Sequence, residues 1–220
     1  MKKGNSIFTI PLLIMGLLLL VSCGSNKGSE TKLSEPETDS FTDSRDGKIY
    51  KTVKIGDQWI MAENFAYKPD NGKYWAYEND ESNIEIYGYL YDWETAMNIT
   101  PDGWHLPSRK EWFALLKTLG AKRTTFPYLE KVYPKLVVDG ISGLDMPFGG
   151  FRTCNGKFTS LGDKARFWNS NESGSDYATF GLNSNKDRIP HGLNLSKAPF
   201  VYNNGYQKSC PGYSIRLFKD

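Results

Sequence analysis

Two histidines, three cysteines and a scatter of acids bound the chemistry open to this chain of 220 residues. His105 lies in GWHLPSRKEW, close to Arg109 and Glu111, and Asp92 lies a little upstream. Those four are the first group to consider for acid–base chemistry, because a histidine beside a carboxylate can be oriented to take or give a proton. Ser, His and Asp sets can be drawn from almost any composition, so their presence alone carries no weight. No Gly-x-Ser-x-Gly turn frames a nucleophile. The sequence also has no Gly-x-Gly-x-x-Gly loop, phosphate loop or His-Glu-x-x-His helix. Cys154 and Cys210 have no histidine near them in sequence, and a nucleophilic thiolate needs a neighbouring base. Glu78, Asp80, Glu81 and Glu85 gather acids without the spacing of a twelve-residue calcium loop, so they read as a solvated face. No catalytic residue, metal ligand or cofactor is assigned.

Binding chemistry is better represented. Trp168-Asn169 and the stretch VYNNGY, with Tyr202, Asn203, Asn204 and Tyr206, combine rings and amides in polar surroundings. Rings stack on sugars or peptides while amides bond their polar rims. These six residues are the candidate ligand-binding set. With 27 basic and 25 acidic residues the charge is nearly balanced and no basic stripe emerges, which argues against nucleic acid as a partner.

Local patterns place these residues. Ser108 and Glu111 have capping-box spacing, and Trp112, Leu115, Leu116 and Leu119 recur on one helical face before Gly120. That predicts a helix in which Glu111 has an end-fixing task, and His105, just before the cap, is expected to be structural. Asp92 can cap a short second helix through Asn98, with Trp93, Ala96 and Met97 on one face. Residues 48–55 and 58–62 read as a hairpin around Gly56-Asp57. Asn155-Gly156 predicts another, and 165–170 with 177–182 a third antiparallel pair across a polar loop. Lys135–Val138 reads as a short strand and Tyr213–Phe218 as a closing strand. The class is α+β: short antiparallel strands, two short helices in the first half, and long polar loops.

The amino terminus has Lys2-Lys3, then the apolar run Ile7–Val21, shorter than a spanning helix, then Leu20-Val21-Ser22-Cys23. This resembles the lipobox of bacterial lipoproteins. The resemblance implies removal of residues 1–22 as a signal peptide and acylation of Cys23. Each buried acyl methylene contributes about 0.8 kcal/mol to membrane attachment. Residues 23–45 are rich in Ser, Thr, Asp and Glu and are expected to form a flexible tether. Outside the cytoplasm Cys154 and Cys210 could pair as a disulfide or stay as thiols; the loop a bond would close is long enough for roughly 4 kcal/mol of entropic stabilisation.

From residue 46 onward several blocks fall in a fixed order. They are DGKIYKTVKIGDQWIMAENF, YGYLYDW, PDGWHLPS with Glu111-Trp112, FWNS and GYSIRLFKD. Together they resemble the Fibrobacter succinogenes major paralogous domain, a family of secreted and lipid-anchored bacterial proteins. GWHLPSRKEW and GYSIRLF are more distantly similar to formylglycine-generating enzymes and C-type-lectin-like domains, which implies a C-type-lectin-like fold over residues 46–220. Neither the calcium and sugar motifs of those lectins nor the active cysteines of those enzymes match, so no activity is carried to a residue. The expectation is a non-catalytic module for a glycan, peptide or protein ligand, held to the bacterial cell envelope by acylated Cys23 and facing the periplasm or the exterior. An enzyme related to the formylglycine-generating group and a purely structural lipoprotein are the alternatives.

Overall fold

A computed structural model describes residues 35–122, 132–173, 176–183 and 210–220. Its first strand, β1 (Glu37–Thr42), runs antiparallel to β2 (Ile49–Ile55), with Phe41 opposite Tyr50 and Asp39 opposite Thr52. The segment expected to be free tether through residue 45 is thus a paired sheet edge from Glu37 onward. Two tertiary interactions explain the difference. Phe41 packs against Trp104 with ring centroids 5.1 Å apart. Asp43, shut off from solvent, takes two bonds from Arg45, at 2.8 Å and 2.6 Å. The same guanidinium donates to the Ile99 carbonyl at 2.8 Å and sits 3.9 Å from the Tyr67 ring centre. Burial opposes ionisation of Asp43, but Arg45 outweighs it and holds the carboxyl below the ordinary carboxylate range.

β2 turns through Gly56-Asp57 into β3 (Gln58–Met61), the hairpin read from the sequence. With β6 (Trp104–His105) and β11 (Phe218–Lys219) these strands form a sheet in the order β1-β2-β3-β11-β6. Side chains alternate across a strand, so Tyr50 and Met61 enter one core while Val53, Ile55 and Ile60 enter another. The first core adds Phe65, Trp104, Trp168, Tyr213 and Ile215. The second is covered by α3 (Arg109–Thr118), whose Trp112, Leu115 and Leu116 are buried as the helical stripe required.

Both ends of α3 follow the local code. The Ser108 hydroxyl accepts from the Glu111 amide at 3.2 Å and the Glu111 carboxylate accepts from the Ser108 amide at 2.7 Å. Gly120, at φ +103°, takes the left-handed conformation that ends the helix. In α2 (Trp93–Asn98) the Asp92 carboxylate caps the Thr95 amide at 2.9 Å; Thr95 and Ala96 are buried, and Met97 is on the exposed side. The helices are not only two. α1 (Ile84–Tyr87) and α4 (Tyr133–Leu136) are added, and α4 takes the first half of the strand expected at 135–138, of which Val137 keeps a single bridge to Met146. Pro134 falls in its first turn, where a missing amide proton breaks no helical bond.

β7 (Gly149–Arg152) and β8 (Phe158–Leu161) pair around Asn155-Gly156. β9 (Lys164–Ser173) and β10 (Asp176–Asn183) pair beside them, giving the order β10-β9-β7-β8. Most of the polar loop expected between β9 and β10 is therefore strand. A third, two-stranded sheet joins β4 (Tyr74–Trp75) to β5 (Leu90–Tyr91). A disulfide joins Cys154 to Cys210 across 56 residues. The fold is a mixed α+β domain of largely antiparallel sheets and several short helices. Among the described residues no helix is long and apolar enough to cross a membrane.

The closing strand is shorter than its alternation suggested, because residues 213–217 bond several neighbours in turn. The carbonyls of Leu217 and Ile215 accept from the amides of Met61 and Phe65, each at 3.0 Å, while Tyr213 bridges to Tyr91 and Ser214 to Phe167. Between them Arg216 is completely buried and, among the described residues, has no carboxylate in contact. Its guanidinium donates to the carbonyls of Met61 at 3.1 Å and Leu144 at 2.6 Å, and to the Asn64 side-chain oxygen at 2.7 Å and 3.2 Å. Burial pushes it down to about 9, while Glu63 and Asp145 pull the other way, so it stays charged at neutral pH. Arg216→Ala would strand three oxygens in the core. It is expected to cost more than about 3 kcal/mol by urea unfolding, with Arg216→Lys recovering little because one ammonium cannot copy the planar fork. A loss below about 1 kcal/mol would show that water replaces the guanidinium.

Candidate functional site

The group first considered for chemistry is only partly assembled. β6 and the start of α3 bring His105 beside Glu111, and Asp220 follows β11. Nε2 lies 2.7 Å from Glu111 Oε1 and Nδ1 lies 2.6 Å from Asp220 Oδ1. An imidazolium donates to both oxygens at once, whereas a neutral ring has a single N–H to give. Asp92 is elsewhere, buried at the cap of α2. Arg109 stacks its guanidinium 5.1 Å from the Phe113 ring centre. Asp220 was not singled out by sequence reasoning, since 115 residues separate it from His105. Among the described residues no group of three or more His, Cys, Asp or Glu could hold a metal ion.

Of the six candidate ligand-binding residues, Tyr202, Asn203, Asn204 and Tyr206 lie outside the described residues. Trp168 and Asn169 are buried, which corrects their reading as a stacking platform. The Trp168 indole donates to the Tyr91 carbonyl at 2.7 Å and packs on Tyr213 at 4.3 Å, while the Asn169 carbonyl accepts from the Trp93 indole at 3.0 Å. Their polar atoms hold β9 against β5 and α2. A ligand has no ring face to stack on there.

An open concavity does exist, at a place that sequence patterns barely marked. A cleft of about 480 Å³ lies between the β1–β2 hairpin, α1 and the turn that follows α4. Asp39, Glu63, Glu85 and Asp145 put four carboxylates on its lining against the two lysines Lys48 and Lys51. Ile86 and Val138 add apolar surface, and both are more than half exposed, at 62 % and 52 %. Ile86 sits on a helix of four residues, too short for periodicity to show which face it presents. Ile84-Glu85-Ile86 in an otherwise polar span was the one available clue.

The electrostatics of the His105 cluster are open to test. Burial raises the cost of ionising Glu111, but bonds from Ser108 and then His105 outweigh it, leaving its pKa below the ordinary 4.5. A carboxyl held low in the folded state stabilises the fold above its unfolded value, and that contribution is lost as pH falls through the folded value. The parent is therefore expected to lose thermal stability relative to Glu111→Gln as pH is lowered from neutral to below 4.5. Parallel pH curves for the two proteins would contradict a carboxylate held in this way.

Residues 53–219 match the family model of the Fibrobacter succinogenes major domain. No curated protein and no solved structure matches the chain. The matched span runs from β2 to β11 and takes in most of both cores, Arg216 and the His105–Glu111 pair, so the chain belongs to the Fibrobacter succinogenes major domain family.

Proposed function

We propose that this chain is an envelope lipoprotein, fixed to a bacterial membrane through acylated Cys23, whose domain binds a polypeptide ligand without catalysing a reaction. The observation that carries the binding reading is the large cleft. Its four carboxylates outnumber its two lysines, and its exposed Ile86 and Val138 offer apolar contact. A segment with basic and apolar side chains complements both. A reading without catalysis is supported by the tasks the candidate groups already perform. His105 lies between two carboxylates, and Glu111 and Asp92 each cap a helix.

The anchor is supported by the order of Lys2-Lys3, the apolar run and Leu20-Val21-Ser22-Cys23. A disulfide between Cys154 and Cys210 fits an oxidising compartment, periplasm or exterior. A C-type-lectin-like arrangement of the domain belongs to the same proposal. It is supported by the place of β11, inserted between β3 and β6 beside the amino-terminal hairpin.

Mass spectrometry of the protein from its native membrane is expected to find residues 1–22 absent and a diacylglycerol thioether on Cys23. An unmodified thiol with residues 1–22 retained would remove the anchor. The lipidated chain in nanodiscs should bind basic, apolar peptides on an array. The double change Ile86→Asp and Val138→Asp should weaken that binding about tenfold or more, with the thermal midpoint held because both side chains are exposed. Peptide binding that survives the change, or hits confined to a glycan array, would overturn the polypeptide reading.

A further inference from the structure

The β1–β2–β3 sheet carries a second cleft with different chemistry. Pairing register sets Asp39 opposite Thr52, Phe41 opposite Tyr50, Lys54 opposite Trp59 and Lys219 opposite Trp104. Asp39, Phe41, Thr52 and Trp59 therefore share one face. They line a hollow of about 200 Å³ that Trp104, Asp102 and Lys219 complete. We propose that this hollow is a subsite for a single neutral pyranose ring.

Shape comes first. At about 200 Å³ the hollow is below the roughly 300–1,000 Å³ of sites for drug-sized ligands, and it suits one compact ring. Three aromatic side chains bound it. Trp104 is almost wholly buried and touches Phe41 at 5.1 Å, so these two form a fixed floor. Trp59 is half-buried and leaves part of its indole to solvent. Lys54, held by Glu37 at 3.2 Å, stands 5.8 Å from the Trp59 ring centre and limits its swing. A pyranose has a C–H face that stacks on such rings.

Polar groups stand around the rings. Asp39 lies on the exposed β1, and Asp102 lies on the turn closed by the Trp104 amide and the Pro101 carbonyl at 3.0 Å, with Gly103 at φ +77°. Their carboxylates accept hydroxyl protons, and the Lys219 ammonium donates to a hydroxyl oxygen. The Lys219 backbone is fixed by the Gln58 amide at 2.7 Å. Two carboxylates against one ammonium leave the rim negative, which opposes acidic sugars. The hollow shares Asp39 and Thr52 with the polypeptide cleft, but its three rings belong to it and not to that cleft.

The test is saturation-transfer NMR on the full lipidated chain in nanodiscs, with D-glucose, D-galactose, D-mannose, N-acetyl-D-glucosamine and D-glucuronate as probes. At least one neutral sugar should bind saturably in the millimolar range, with the strongest transfer to ring C–H protons, and glucuronate about fivefold or more weaker. Trp59→Ala should weaken binding about tenfold, while Trp59→Phe stays within about threefold. Should Trp59→Ala also lower the thermal midpoint, Asp102→Ala on the exposed turn tests the same subsite, with an expected loss of about threefold or more. Silence from every neutral probe up to about 50 mM, a preference for glucuronate, or binding untouched by Asp102→Ala would overturn the subsite.

Discussion

A guanidinium sealed from water must be met by oxygens, and at Arg216 those oxygens come from two distant parts of the chain, residues 61–64 and Leu144. Met61 ends β3, Asn64 follows it, and Leu144 belongs to the turn beyond α4. Removing a charge from water costs several kcal/mol, and no contacting carboxylate offsets that cost among the described residues. Four charge-assisted bonds to neutral acceptors must do so, and they work only if every acceptor is in place. The arginine therefore acts as a test of assembly. The hairpin, the turn and the closing segment either all reach their native positions or leave a buried cation unsatisfied.

That requirement reaches the surface. The Asn64 side chain accepts from Arg216 and donates to the Tyr87 carbonyl at 2.9 Å, so one amide relays the position of the core to the end of α1. Glycine is required next to it. Gly88 has φ +66°, and an added Cβ would lie 2.5 Å from the Phe65 carbonyl oxygen. Asn64 and Asp145, the neighbour of Leu144, both line the large cleft, as do Ile84 and Ile86 of α1. The walls of that cleft are thus set by the contacts that satisfy Arg216. A cleft built in this way is rigid at its base even where its rim is exposed.

Which parts of this were legible in the sequence follows from the range of the forces involved. The ends of α3, the Asp92 cap and the Asn155-Gly156 turn depend on residues a few places apart, and each was readable. The buried stripe of α3 was readable for the same reason. β1 was not, because ETDSFT has the composition of a tether and becomes a strand only through Tyr50, Trp104 and the Asp43–Arg45 pair. Arg216 in GYSIRLF alternates like any strand residue facing solvent, and nothing local says that its face is covered. Trp168-Asn169 failed in the opposite direction. Rings beside amides suggest a binding loop, but indoles also need buried acceptors, and Tyr91 supplies one. The large cleft has walls from five separate stretches of chain, so no window of sequence contains it.

The disulfide acts on a segment that non-covalent contacts already position. Beside it the Arg152 and Gly212 backbones exchange two hydrogen bonds, both at 2.9 Å, and the Arg152 side chain donates to the Cys210 carbonyl at 3.1 Å. That guanidinium also lies 4.2 Å from the Trp75 ring centre, and Gly212 packs so closely on the indole that a Cβ would come within 2.9 Å of it. With the native geometry fixed by these bonds, the sulfur link has little left to do in the folded state. Its contribution falls mainly on the unfolded chain, where tying residues 56 apart removes about 4 kcal/mol of conformational freedom in the loop-entropy account. Cys154 itself is solvent-exposed. A link of this kind limits how far the chain can open when it unfolds, and leaves the shape of the clefts to the core.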